Sequence, residues 1–121
     1  MPATSFCEYT DTSPKVPHWF ALDESRPIFF FAGIWRPWTG TRGTKANPVE
    51  AEHLLYSFLT CEANEIVKPI HAKAMPVLLT TEDEAHRWLT APVEEALELQ
   101  RPLPSDQMTI VAKGERKDEA A

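Results

Sequence analysis

The segment from residue 60 to residue 79 constrains the fold more than any other part of the chain. It contains the end of an apolar stretch, a polar bend around Asn64, the tripeptide Pro69-Ile70-His71 and a second apolar run that ends at Leu79. Short apolar runs bounded by turn-forming residues predict β-strands. The segment therefore predicts a strand, a bend and a second strand, with His71 at the mouth of a β-rich core.

A strand-like segment at the start of the chain contains a lone acid. Residues 2–9 read P-A-T-S-F-C-E-Y, and in an alternating strand Phe6 and Glu8 share one face. A carboxylate and an imidazole delivered by two separate strands are suitable for general acid/base chemistry. The residues alone leave another interpretation open, because most lone acids are solvated at strand edges and a single histidine is more often structural.

The rest of the chain is mostly strand, with two short helices toward its end. Strands are predicted over residues 3–9, 18–22, 28–35, 75–79 and 108–112, and the aromatic-rich end of the ambiguous stretch 51–60 also favours a strand. We expect 18–22 and 28–35 to form a hairpin. Residues 37–48 predict a loop, and residues 64–67 a single helical turn.

Two helices are predicted between the strand over 75–79 and the strand over 108–112. Thr81 as N-cap with Glu84 three residues later predicts a capping box and a helix that ends near Pro92. A second helix over 93–100 is predicted to place Val93, Ala96 and Leu97 on one face, with Gln100 as a further candidate for that face. The chain is thus predicted to be a single α+β domain over residues 1–112, followed by a disordered charged tail over 113–121.

Charge and composition limit the function classes. The net charge is −6, no apolar run approaches the roughly 20 residues that cross a bilayer, and we expect no signal peptide. Two cysteines without metal-like spacing predict a reducing, cytoplasmic setting, and no histidine pair has the spacing of a zinc helix, so we expect no metal. The acidic balance argues against a nucleic-acid partner unless a local basic surface exists.

Three ordered motifs carry a family resemblance. They are P-A-T-S-F-C-E-Y at residues 2–9, F-A-G-I-W at 31–35, and T-C-E-A-N followed by I-H-A-K-A-M-P-V-L-L within 60–79. In this order they resemble the SRAP family, the SOS-response-associated peptidases or abasic-site processing proteins, from residue 2 to about residue 108. Ser5, Cys7 and Tyr9 depart from the family's glycine, aromatic and tryptophan, and the histidine motif is one residue longer than usual.

The resemblance implies a β-rich α+β fold, a mixed sheet or barrel with short flanking helices, that recognises abasic sites in single-stranded DNA. In the family an N-terminal cysteine joins the sugar aldehyde through its amine and thiol, which gives a thiazolidine crosslink without a cofactor. The resemblance implies that Glu8 transfers protons to and from the amine and takes part in removal of the initiator methionine. It implies that His71 assists opening of the deoxyribose ring.

Five further residues are candidate DNA contacts. Aromatic rings stack on unpaired bases, and cations bind phosphates. The candidates are Tyr9, Trp35, Trp38, Arg42 and Asn64. A solvated hairpin loop is the alternative for the tryptophans and the arginine, and a turn or cap is the alternative for Asn64.

The chain starts at Met1-Pro2, where the family has Met-Cys well upstream of the glutamate motif. Neither Cys7 nor Cys61 can replace a terminal cysteine, because each α-nitrogen is part of a peptide bond. The resemblance therefore predicts the C-terminal portion of a SRAP domain with an incomplete fold, and leaves open whether it is an enzyme by itself. The alternatives are a truncated, inactive remnant that binds DNA or a protein, and a small α+β hydrolase that uses Glu8 and His71. The oligomeric state is left open.

Overall fold

A computed structural model describes residues 1–118 of the chain. The strands are β1 (Pro2–Ala3), β2 (Phe6–Tyr9), β3 (Pro17–Ala21), β4 (Phe29–Phe31), β5 (Gly33–Gly43), β6 (Pro48–Phe58), β7 (Thr60–Cys61), β8 (Met75–Pro76), β9 (Leu78–Leu79) and β10 (Thr109–Lys113). The helices are α1 (Glu82–Thr90) and α2 (Val93–Ala96), with 3₁₀ turns at Leu97–Leu99 and Ser105–Gln107. The α+β fold class is confirmed.

Two three-stranded antiparallel sheets form the body of the protein. One has the order β1-β4-β9 and the other β10-β3-β2. All strand pairs within residues 1–118 are antiparallel, and their sheets do not close into the expected mixed sheet or barrel. Within the same residues, no helix is both long and apolar enough to cross a membrane.

The hairpin predicted between residues 18–22 and 28–35 is wrong, because β3 and β4 belong to different sheets. Phe20 of β3 and Phe29 of β4 are both fully buried in one core. The Phe6 ring joins them, with its centroid 5.2 Å from that of Phe20 and 6.3 Å from that of Phe29. Each strand thus belongs to a separate three-stranded sheet, and the two sheets bury Phe20 and Phe29 between them. An isolated two-stranded hairpin could not bury both side chains in this way.

The loop predicted over residues 37–48 is also wrong, since β5 and β6 form a long two-stranded ribbon. Every residue of β5 pairs with one of β6, from Gly33 opposite Phe58 to Gly43 opposite Pro48. The strand favoured within 51–60 is confirmed, and it starts earlier than expected. Gly40 is compatible with this ribbon, where the Trp38 ring lies against it and occupies the space that a Cβ would need.

Helix α1 begins as predicted. The Thr81 hydroxyl accepts a hydrogen bond of 3.1 Å from the Glu84 N–H. The Glu84 carboxylate accepts from the Thr80 N–H at 2.9 Å, one residue earlier than in the usual capping box. The Glu84 carboxylate also forms an ion pair with Arg101, which connects helix α1 to the segment that follows the second helix.

The second helix has about the predicted extent but a different buried face. It starts as α2 and tightens into the 3₁₀ turn Leu97–Leu99. Ala96 and Leu99 are buried, whereas Val93 is 71% and Leu97 45% exposed. A 3₁₀ turn has three residues per turn rather than 3.6, so the tightening changes which side chain faces the core.

The tail predicted to be disordered makes contacts as far as it is described. Beyond β10, the Gly114 N–H donates to the Pro17 carbonyl at 2.8 Å. The Trp19 indole N–H donates to the Glu115 carbonyl at 2.9 Å, and Arg26 pairs with Asp118 at 2.7 Å. Residues 114, 115 and 118 therefore contact β3 and the connection that follows it, and residues 119–121 lie outside the described residues.

Candidate active site

Glu8 and His71 reach one cleft from different kinds of structure. Glu8 lies on β2, directly opposite His18 of β3. His71 lies in the loop between the turns at residues 65–70 and β8, not on a strand. The sequence correctly predicted that His71 follows a bend, but the bend extends into several turns before the next strand.

The two side chains face each other. His71 Nε2 lies 3.8 Å from Glu8 Oε2, and the side chains are 26% and 25% exposed. This distance is longer than a hydrogen bond but short enough for an ion pair when the imidazole is protonated. Acid/base partners are often this loosely placed before substrate arrives. Glu8 is therefore not the fully solvated edge acid of the alternative interpretation.

The cleft around the pair is mostly apolar and has a volume of about 340 Å³. Its lining consists of Phe6, Cys7, Glu8, Phe31, Phe58, Thr60, His71, Ala74, Met75 and Pro76. Burial against these side chains raises the pKa of the Glu8 carboxyl, and the nearby His71 opposes this only in part. Glu8 consequently keeps its proton to a higher pH than a solvated glutamate, so it can both donate and accept one.

The two nitrogens of the His71 ring have different surroundings. Nδ1 is buried and has no hydrogen-bond partner within residues 1–118, whereas Nε2 faces Glu8. A buried N–H without an acceptor is costlier than a proton aimed at a carboxylate. The neutral ring therefore carries its proton on Nε2, where it can donate a hydrogen bond to a substrate oxygen in the cleft.

The SRAP family model, described as SOS response associated peptidase, matches residues 1–114. The chain belongs to the SRAP family. Membership supports SOS-response-associated peptidase and abasic-site processing as the family-level function. No curated protein matches the chain.

In this SRAP chain Asn64 is placed differently from the expected DNA contact. Its side chain is buried, and Oδ1 accepts from the Ile66 N–H at 3.1 Å and from the Val67 N–H at 3.0 Å. Nδ2 donates to the Leu103 carbonyl at 2.8 Å. The amide is thus used inside the protein, where it caps the turn as the alternative interpretation expected.

The predicted aromatic and basic cluster is divided between the two faces of the β5–β6 ribbon. Side chains alternate along a strand, so Trp35 lies on one face and Trp38 and Arg42 on the other. Trp35 is 69% exposed, whereas Trp38 packs on His53, with the ring centroids 6.1 Å apart. Tyr9 is 47% exposed at the end of β2, one residue from Glu8 but on the opposite face of that strand.

Two cleft residues of the SRAP chain were missed from the sequence. Phe31 and Phe58 form an apolar wall, with ring centroids 5.3 Å apart. Phe31 lies in the strand predicted over residues 28–35 and in the F-A-G-I-W motif, neither of which indicates a role in the site. Phe58 lay in a stretch whose structure was ambiguous, so no signal connected it to Glu8. Within residues 1–118, no three His, Cys, Asp or Glu side chains converge on a possible metal site.

Proposed function

We propose that this chain supplies the acid/base groups of a centre that processes abasic sites in single-stranded DNA. The observation that carries the proposal is the approach of Glu8 Oε2 and His71 Nε2 to 3.8 Å in one apolar cleft. The family-level function indicates the substrate, a deoxyribose that lacks its base. Removing the base makes a sugar small enough to enter a cleft of this size.

The pair can perform the proton transfers of ring opening. The closed sugar must lose the proton of its C1 hydroxyl and gain one on its ring oxygen before the aldehyde is free. Ionised Glu8 accepts the proton of the C1 hydroxyl and delivers it to the ring oxygen, while the Nε2–H of His71 donates a hydrogen bond to that oxygen. Because the two groups lie on one cleft, a single sugar can contact both.

The same pair can serve the condensation that follows. An amine adds to the aldehyde carbon, water leaves to give an imine, and a neighbouring thiol adds to the imine to close a thiazolidine. The leaving hydroxyl needs a proton and the attacking amine must lose one, which a carboxyl with a raised pKa can provide. The net reaction of aldehyde and aminothiol yields thiazolidine and one water, without oxidant or metal.

The aminothiol is not Cys7 or Cys61, because their α-nitrogens are in peptide bonds. Burial also raises the pKa of the Cys7 thiol, which keeps it protonated and a poor nucleophile. The nucleophile of the proposed reaction is therefore a terminal cysteine or a small aminothiol. This allows the contribution of Glu8 and His71 to be tested separately.

The test supplies L-cysteine to an oligonucleotide that contains one abasic site, with and without the protein. We expect the protein to accelerate thiazolidine formation, followed by mass spectrometry, by at least about a hundredfold, the lower end of the range for acid/base catalysis. Glu8→Gln and His71→Ala should remove the acceleration. Glu94→Gln and His86→Ala make the same chemical changes at exposed positions and should retain it. An unaccelerated reaction with the wild-type protein would contradict the proposal.

Single-stranded DNA is the proposed partner, and one face of the β5–β6 ribbon is suited to it. Arg36, Trp38 and Arg42 share that face, whereas Glu50 and Glu52 lie on the other. The ribbon therefore presents a cationic, aromatic surface despite the net charge of −6. Arg42→Ala should weaken DNA binding and reduce the slope of log binding constant against log salt concentration by about 0.7, which corresponds to one lost phosphate contact. Glu52→Gln should not weaken DNA binding. Fluorescence anisotropy at several salt concentrations would show both effects, and equal binding by Arg42→Ala and wild type would exclude this face.

A further inference from the structure

Asn64 joins three parts of the chain that surround the cleft. Its amide oxygen caps the first turn after β7, through the N–H groups of Ile66 and Val67. Its Nδ2 donates to the carbonyl of Leu103, 39 residues further along the chain. Its backbone N–H points at the sulfur of Met75, 3.3 Å away, and Met75 lines the cleft.

The capped turn leads directly to His71. The Val67 N–H is held by Asn64, and the Val67 carbonyl accepts from the His71 N–H at 2.8 Å and from the Ile70 N–H at 2.9 Å. Val67 itself is fully buried. Two consecutive hydrogen bonds thus connect the Asn64 side chain to the backbone of His71.

The His71 ring has little else to hold it. Its Nδ1 has no hydrogen-bond partner among the described residues, and Nε2 only approaches Glu8. Most functional histidines are oriented by a hydrogen bond to the second ring nitrogen. Here the orientation of the imidazole must come from the backbone that carries it.

We propose that Asn64 is a positioning residue for His71, because it fixes the Val67 turn and thereby sets the approach of the imidazole to Glu8. The same amide anchors this turn to Leu103, so the C-terminal segment contributes to the geometry of the cleft. The catalytic meaning of this inference rests on the proposed function. Its geometric content does not, and it can be tested without DNA.

The test follows the Glu8 carboxyl by NMR as a function of pH. The His71 charge lowers the pKa of Glu8, so His71→Ala should shift the Glu8 titration to higher pH. Asn64→Ala should shift it in the same direction, because the imidazole is no longer held near the carboxylate. In the double variant the second substitution should add no further shift, since both act through the same ring. An unchanged titration in Asn64→Ala, or additive shifts, would overturn the inference.

Trp88→Phe is the matched control for general destabilisation. It removes the hydrogen bond from the Trp88 indole to the Gly33 carbonyl, in the other core cluster, and leaves the Asn64 contacts in place. Glu8 should titrate as in wild type. The His71 amide should exchange with solvent at least about tenfold faster in Asn64→Ala than in Trp88→Phe. Equal exchange in the two variants would reduce Asn64 to an ordinary structural residue.

Asn64→Asp keeps the test decisive if Asn64→Ala does not fold. The carboxylate retains an acceptor for the Ile66 and Val67 N–H groups but cannot donate to Leu103 when ionised. Protection of the His71 amide should be largely retained, and its loss would contradict the route through Val67. If the wild-type protein does not accelerate the L-cysteine reaction but His71 and Asn64 still affect the Glu8 titration as expected, the proposed function is refuted and the positioning role of Asn64 is not.

Discussion

Replacing Asn64 by alanine should cost more stability than any other single polar substitution in the described chain. The substitution removes the partner of the Val67 N–H and of the Leu103 carbonyl, and both residues are at most 1% exposed. The Ile66 N–H is only partly buried and can turn to water. Asn64→Ala therefore leaves two buried backbone groups without partners.

The magnitude follows from those two groups. A buried, unpaired donor or acceptor costs about 1–3 kcal/mol, so two of them cost about 3–4 kcal/mol after partial relaxation. Domains of this size are stable by about 5–15 kcal/mol in total. The substitution should remove a large fraction of the free energy of unfolding, and lower the melting temperature by about 10–15 °C.

Urea unfolding, followed by circular dichroism, measures this loss. Asn47→Ala is the control, since that asparagine is exposed in the turn between β5 and β6, and it should change the free energy of unfolding by less than about 0.5 kcal/mol. The dependence on urea should be unchanged in both variants. A loss below about 1 kcal/mol for Asn64→Ala would refute the reasoning, because water or relaxation would then satisfy the groups that we regard as unpaired.

Three further predictions concern the cleft, the second core cluster and the ribbon. Burial raises the pKa of Glu8, so the folded state disfavours the ionised carboxylate. Glu8→Gln should therefore be more stable than wild type at neutral pH, and equally stable below the ordinary carboxyl pKa of about 4.3. Urea unfolding at several pH values measures this difference. Trp88→Phe loses its hydrogen bond of 2.8 Å to Gly33, and its free energy of unfolding should fall by about 1 kcal/mol; no change would mean that the bond adds nothing net. Gly40→Ala should displace the Trp38 ring and weaken binding of single-stranded DNA in anisotropy titrations, with undiminished binding as the contrary result.

The candidate site could be predicted because its two residues lie in motifs of distinctive order. No periodicity brings Glu8 near His71, and the inference came from the resemblance of both segments to one family. The roles of the apolar wall could not be predicted in the same way. Phe31 and Phe58 lie on β4 and β6, which belong to different sheets, and their contact depends on the register of the β5–β6 ribbon that places Phe58 opposite Gly33.

The fold was predictable where local chemistry decides it. The cap at Thr81 depends on a residue three positions away, and it was predicted correctly. The partner of β3 depends on which distant strands bury Phe20, so the local hairpin prediction failed. A glycine at position 40 favours a loop by its residue type, but Gly40 pairs with Ala51 in the ribbon, and the Trp38 ring occupies the space that a Cβ would need.

The central claim is that Glu8 and His71 act together on an abasic sugar, and a double-mutant cycle on the L-cysteine reaction tests it most directly. The rates of thiazolidine formation with wild type, Glu8→Gln, His71→Ala and the double variant are compared at one pH. Groups that act as a unit are strongly non-additive. We predict that the double variant is no slower than the slower single variant. Fully multiplicative losses, or rates that are the same with all four proteins, would contradict the account.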